Sequence, residues 1–314
     1  MDRAVRLHQP PHVALFANTR SAFAIPTLQE LAKLRESRAI ELVGIVATER
    51  PEPLSSRLRS MLRRVVTRTW DAPNLRTLAQ ELGIPVLTPS SLDVNDDQVV
   101  GFLKDTQTDV ALIFGCDQIL RQKLIATTPL VVNYHNSLLP KYRGVGATVW
   151  PFLHGEAESG FSYHTIDDEK IDVGRLVLQS KVPMPPLSEA QSYSDKLNEA
   201  AARALPALIT TLTTRGDFAR LPPTEEYFSL KMFTRATLAD PYLSVDEACK
   251  RAMVIGHLLL RRGPVVLRLQ RPHKRRSGWS DLAISFADGN VWFSRINYLP
   301  AILCAPVVRL MWRR

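Results

Sequence analysis

Between residues 12 and 136 the chain alternates short apolar, β-branched runs with stretches of helical periodicity, and no other feature restricts its fold so strongly. The strand-like runs are HVALFAN at 12–18, IELVGIVAT at 40–48, IPVLTP at 84–89, DVALIFG at 109–115 and LVVNYHN at 130–136. Between them lie helical patterns such as PTLQELAKLRE and APNLRTLAQELG. Strands this uniformly apolar are covered on both faces, which requires crossover helices and a parallel sheet. The expected architecture is therefore an α/β, open, doubly wound fold.

Two further extended runs follow, GFSYHTI at 160–166 and RLVLQSKVPM at 175–184, separated by the polar segment DDEKIDVG. They read as a pair of strands around a functional loop. Ser188 to Thr214 reads as one long helix, with Ser188 as N-cap and Gly216 just past its end. The proline content and broken periodicity of RGDFARLPPTEEYFSL mark residues 215–230 as a linker. Beyond it come the helix-like VDEACKRAMVIGHLLL and the strand-like PVVLRLQ, LAISFAD and VWFSRINYL, a small α+β or barrel-like domain. At 314 residues two domains are expected: a main domain over 1–214 and a small basic one over 231–314.

Hydrophobic content of 45% and charged content of 23% exclude a disordered or fibrous chain. Cys116, Cys249 and Cys304 stand far apart, without metal-ligand or redox-pair spacing, so a reducing compartment and no structural zinc are expected. The first twenty residues have neither the apolar run nor the cleavage pattern of an export signal, and no stretch reaches the roughly 18 apolar residues of a membrane span. These readings place the protein in the cytoplasm. The net charge of +9 is entirely C-terminal: residues 215–314 hold 17 Lys and Arg against 8 Asp and Glu. A phosphate-bearing partner and a merely solvated basic face both fit that asymmetry.

The most informative segment runs from Asn133 through His135, Asn136, Ser137, Leu138, Leu139 and Pro140 to Gly144, where a buried strand ends and a loop begins. Ligands of open α/β sheets gather outside the carboxyl ends of the strands. Asn133 and His135, two apart on one strand end, present an amide and an imidazole on the same side.

Asn-x-His followed by Ser-Leu-Leu-Pro and a glycine four residues on resembles the signature of the 10-formyltetrahydrofolate-dependent formyltransferases. Ile171-Asp172-Val173-Gly174 is similar to their second motif, an Asp-x-Gly ahead of a strand, and the separation of about three dozen residues is typical of the family. The resemblance runs from about residue 12 to residue 214. It implies a Rossmann-like catalytic domain over 1–214, no metal, and Asn133, His135 and Asp172 as the catalytic set. Asn133 would stabilise the oxyanion, a contribution of roughly 10² to 10³ in rate in other acyl transfers. His135, with an intrinsic pKa of about 6.5, would donate to the oxyanion or handle the amine proton, and Asp172 would set its charge and relay the proton. Taken singly, an Asn or His at a strand end is ordinarily a hydrogen-bonding residue, and an Asp before Gly a turn. Their coincidence in matching motifs carries the catalytic reading.

The resemblance also implies that the pterin end of the folate lies between two loops. One holds Cys116, Asp117, Gln118 and Leu120; the other Asp168, Glu169, Lys170 and Ile171, with one residue more before the Asp than the family pattern. Backbone groups would meet the pterin. Ser137 is not read as a nucleophile, since no nucleophile-elbow glycines surround it. Nor are His135, His154 and His164 read as a metal site, because they fall on different elements.

The preferred acceptor is a small-molecule amine, such as a nucleotide-linked amino sugar or a biosynthetic amine. The alternative is methionyl-tRNA: Arg57, Arg59, Arg63, Arg64 and Arg68, with Arg271, Lys274, Arg275 and Arg276, would track phosphates. Against tRNA, the insertion RPEPLSSRLRSMLRRVVTRTW lacks the glycine-rich basic loop of the tRNA enzymes and reads as an amphipathic helix. A hydrolase releasing formate and a catalytically silent nucleic-acid binder are the remaining alternatives. The apolar tail INYLPAILCAPVVRLMWRR suits a homodimer contact or a membrane surface, but its two prolines favour packing on the small domain.

Overall fold

The computed structural model describes residues 7–49, 74–215, 217–262, 265–275 and 281–300. The basic insertion at 51–70, Gly216, Arg276 and the tail beyond Pro300 lie outside the described residues. The chain divides into two compact units, one of residues 1–140, 160–182 and 195–224, the other of residues 141–159, 183–194 and 225–314.

In the first unit the described strands form one seven-stranded sheet in the order β3-β2-β1-β4-β5-β6-β7. They are β1 (His12–Ala17), β2 (Glu41–Ala47), β3 (Val86–Leu87), β4 (Val110–Phe114), β5 (Leu130–His135), β6 (Glu158–Thr165) and β7 (Leu176–Pro183). β1 pairs in parallel with β2 and β4, β2 with β3, and β4 with β5, as both-face burial requires. Val13, Leu15, Val110, Leu112 and Phe114 enter one hydrophobic core, and Ala14, Phe16, Ala111 and Ile113 the other. The helices α1 (Ile25–Glu36), α2 (Leu75–Glu81), α3 (Asp97–Asp105) and α4 (Gln122–Ile125) connect these strands. Two begin on side-chain caps: Asn74 accepts from Thr77 N at 3.0 Å and Asp96 from Gln98 N at 2.9 Å. The order reverses between β1 and β4, creating the crevice where open α/β folds bind ligands.

The sheet is mixed, because β6 runs antiparallel to β5 with Asn133 opposite His164 and His135 opposite Ser162. The expected single helix from Ser188 to Thr214 is instead a 3₁₀ turn (Leu187–Ser192) and two helices, α6 (Tyr193–Arg203) and α7 (Leu205–Thr214). Pro206, in the first turn of α7, supplies the reason, since its ring excludes a continuous helix through the carbonyl four residues earlier. Part of the segment 215–230 is hydrogen-bonded to the sheet: Leu176 N donates to Ala219 O and Leu221 N to Gly174 O.

The second unit holds α5 (Trp150–His154), α8 (Leu230–Ala236), α9 (Val245–Ile255) and four antiparallel strands in the order β10-β11-β9-β8. These are β8 (Leu258–Arg262), β9 (Val265–His273), β10 (Leu282–Phe286) and β11 (Gly289–Pro300). Ala248, Cys249 and Ala252 of α9 pack with Leu258, Leu267, Leu269, Ile284 and Phe293 as its core. An α+β arrangement results.

Candidate active site

Alternation along β5 separates structure from chemistry. Val132 and Tyr134 face the core, where Tyr134 stacks on Phe114 at 4.2 Å and donates from its hydroxyl to Asn198 Oδ1 at 3.0 Å. Asn133 and His135 therefore emerge together on the opposite side. After His135 the chain turns through Ser137-Leu138-Leu139, and one hydroxyl fixes that turn. Ser162 Oγ donates to Ser137 O at 2.6 Å while accepting from Leu139 N at 3.0 Å and Gln179 Nε2 at 2.8 Å. All its hydrogen-bonding capacity is used. Buried Ser137 is thus a scaffold residue.

Asp172 arrives from the loop between β6 and β7. Its φ of 54° places it in the left-handed region, which non-glycine residues seldom occupy. Gly174 makes that approach feasible: a Cβ there would lie 1.8 Å from Thr165 O, so only glycine lets the loop close on the end of β6. Arg175 N donates to Thr165 Oγ1 at 2.8 Å and completes the clasp. The glycine of the Asp-x-Gly motif thereby sets the position of the carboxylate two residues before it.

The three side chains singled out in the sequence come together. Asp172 Oδ2 lies 3.6 Å from His135 Nδ1, a charge contact longer than a hydrogen bond, and Asp172 Oδ1 lies 3.5 Å from Asn133 Nδ2. A fourth member was missed. His164, directly opposite Asn133, places Nε2 3.3 Å from Asp172 Oδ1 and 3.1 Å from Asn133 Nδ2. Its Nδ1 sits 2.9 Å from Thr165 O and so carries a proton donated to that carbonyl. His164 is 1% exposed, His135 7% and Asp172 9%, so these groups face one another with little water between them. His154 belongs to α5 and packs with the Tyr142, Trp150 and Phe228 rings.

The two loops expected to meet the pterin are tied to one another. Glu169 accepts from Arg121 Nη1 at 2.7 Å and from Gln122 N, which opens α4, at 3.1 Å. Those bonds, with the Arg121 guanidinium first, hold the Glu169 carboxyl below the usual carboxylate range. Gln118 turns inward: Nε2 donates to Thr48 O at 3.3 Å and Leu92 O at 3.2 Å, and Oε1 accepts from Val94 N at 3.2 Å. Leu120 is buried in the second core, and Cys116 packs against it with Sγ 3.6 Å from Gln118 O. Asp168 accepts from Lys170 N at 2.8 Å, Ile171 is exposed, and Asp117 stands beside Cys116 in the bend after β4. The side chains of Gln118, Leu120 and Glu169 shape the loops.

Residues 26–209 match the formyl transferase family. The methionyl-tRNA formyltransferase of Synechococcus sp. (strain JA-2-3B'a(2-13)) is 32% identical over 201 residues, which cover 64% of this chain and 58% of that protein. The chain thus spans a little over half the length of such relatives. Among solved structures, a sugar N-formyltransferase from Shewanella sp FDAARGOS_354 aligns with a TM-score of 0.59 at 14% identity, covering 80% of this chain and 93% of that one. HypX from Aquifex aeolicus aligns with a TM-score of 0.59 at 15% identity, covering 95% of this chain and 48% of that one. At those identities the structures speak for the fold alone. The family match extends over more than half of the chain, from the first helix into α7, and encloses Asn133, His135, His164 and Asp172: the chain belongs to the formyl transferase family.

Proposed function

We propose that this protein transfers a formyl group from 10-formyltetrahydrofolate to an amine. The carrying observation is the buried Asp172 carboxylate, with His135, His164 and the Asn133 amide within 3.6 Å of it at the end of one strand. Transfer to an amine develops negative charge on the formyl oxygen and releases a proton from the nitrogen. Asn133 Nδ2 lies 3.1 Å from His164 Nε2, which fixes the rotation of the amide, and its N–H on the side of the long 3.5 Å contact to Asp172 Oδ1 turns to the formyl oxygen as charge develops there. His135 donates to the same oxygen as charge grows. Asp172 takes up the amine proton directly or through one water and returns it to the folate nitrogen as the bond between that nitrogen and the formyl carbon breaks and tetrahydrofolate leaves. The donor fits the loops on chemical grounds: with Gln118 and Glu169 committed to internal bonds, backbone N–H and C=O groups meet the alternating donor and acceptor edge of a pterin.

The acceptor we assign is a small amine, such as a nucleotide-linked amino sugar. Part of the basic charge of the small unit is spent internally, since Lys274 pairs with Asp246 at 2.5 Å and Arg251 with Glu247 at 2.7 Å. Methionyl-tRNA is the second reading, favoured by relatives at 32% and 38% identity that are methionyl-tRNA formyltransferases. Incubation with 10-formyltetrahydrofolate and a panel of amines, read by a 28-dalton mass gain, tests the first reading; that mass is the replacement of H by CHO, about 28 Da. Efficient formylation of charged initiator tRNA, lost when Arg57, Arg59, Arg63 and Arg64 are neutralised together, would replace it with the second. Formate release unaffected by any amine or tRNA would sink both.

A further inference from the structure

In the second unit, a cavity of about 330 Å³ opens between the 3₁₀ turn, the C-terminal end of α9 and the β9–β11 pair. Its lining includes Ser188, Gln191, Met253, Gln270, Arg271 and Arg295. Gln270 and Arg295 are register partners on neighbouring strands, and their side chains share one face of the sheet. Arg271 reaches the same cavity by a backbone irregularity. Its φ is 55°, and the ladder breaks there, between the pairs Phe293–Pro272 and Arg295–Gln270. An L-residue held in that conformation turns its side chain away from the regular alternation, a device proteins use to aim a functional group.

The ordinary partners of such arginines are already taken. Met253 O accepts from Gln191 Nε2 at 3.0 Å and Gly256 O from Gln270 Nε2 at 3.2 Å, so the terminal carbonyls of α9 serve the two amides. Of the acids on α9, Asp246 pairs with Lys274 and Glu247 with Arg251. Neither Arg271 nor Arg295 forms an ion pair among the described residues. Two exposed arginines line one concavity, with a serine beside them and apolar Leu187, Met253 and Pro272 on its walls, and their like charges favour an anion between them.

We infer that this cavity is a phosphate-binding site, in which Arg271 and Arg295 hold a phosphate group and the apolar wall receives the organic body that carries it. Planar, forked guanidiniums match the oxygens of a phosphate, and the volume suits a single nucleotide-sized ligand rather than a long polymer. The assignment is independent of the formyl-transfer reading, because none of these residues belongs to the catalytic set.

The test is calorimetric titration of the full chain with inorganic phosphate, adenosine 5′-monophosphate and a twelve-nucleotide single-stranded RNA, repeated with Arg295→Gln and Arg271→Gly. Glycine removes the guanidinium while accepting the left-handed φ without strain, so that variant folds at least as readily as the parent. The expected result is nucleotide binding weakened at least about tenfold in each variant, with thermal stability and formyl transfer unchanged. RNA binding no tighter than the mononucleotide identifies a small ligand. Tighter, salt-sensitive RNA binding that both variants weaken keeps the phosphate site and names RNA as its source. Equal affinity in parent and variants for all three probes, or no binding of any probe at 10 mM, would overturn the proposal; that limit is a Kd of about 10 mM, a free energy of only about −3 kcal/mol.

Discussion

His164→Leu removes an imidazole that no motif marks, and its consequences follow from three contacts. The substitution deletes the partner 3.3 Å from Asp172 Oδ1, the acceptor 3.1 Å from Asn133 Nδ2 and the donor 2.9 Å from Thr165 O. Each neutral hydrogen bond contributes about 1 kcal/mol, and the buried Asn133 and Thr165 groups left without their partner cost about 1–3 kcal/mol more, so a loss of about 3 kcal/mol is expected after leucine recovers some apolar burial. For a domain of this size that lowers Tm by roughly 6–12 °C. The Asn133 amide, freed to rotate, loses its aim at the formyl oxygen, and kcat falls about 10- to 100-fold, or about 1.4–2.7 kcal/mol, with the KM for folate little changed. His164→Gln, which keeps a polar group toward Asn133, recovers part of kcat. Differential scanning calorimetry and steady-state kinetics read both effects. A leucine variant with parental kcat and KM, whatever its Tm, would show that His164 only fills space.

His135→Ala and Asp172→Asn each lower formyl transfer by at least about 10² while leaving the far-ultraviolet circular dichroism intact, because both act on charge that forms in the transition state. Gly174→Ala forces a methyl to within 1.8 Å of Thr165 O, so the β6–β7 clasp opens; a Tm drop accompanied by loss of turnover is expected, and a soluble variant with normal kinetics would refute the role given to this glycine. Burial, then the neighbouring Arg268 charge, depresses His257 to about 4 from its ordinary value of 6.5. The unfolded chain therefore takes up a proton that the folded one refuses, and stability is fully present above about pH 6.5 and declines as pH falls toward 4. His257 is partly exposed, so screening reduces the effect to about 1–2 kcal/mol. His257→Gln, which still accepts from Arg268, removes this acid-side decline in urea melts.

The strands were readable because a sheet covered on both faces leaves no polar position to interrupt the run. Val13 to Ala17 and Val110 to Phe114 are buried at every residue, and runs this short and apolar read as strands rather than helices by their length. The helix break was also present in the sequence as Pro206, although the apolar periodicity from Tyr193 to Leu212 runs on through it and conceals the interruption. Pattern reports which residues are inside; it does not report whether one rod or two carries them there.

His164 shows where such reading stops. Asn133 and His135 are two apart on one strand, so the pleat alone places them together. His164 is 31 residues from Asn133, and it faces Asn133 only through an antiparallel register that pairs Val132 with Thr165. A one-residue slip would turn His164 to the other face and bring Tyr163 to the carboxylate. Gly174 fixes the corner at the end of β6, since its close approach to Thr165 admits a single loop geometry, and Ser162 fixes the other end by binding Ser137 and Leu139. The motif residues supply the reactive groups, while register and these two clamps, which are invisible in a linear pattern, determine that the groups meet.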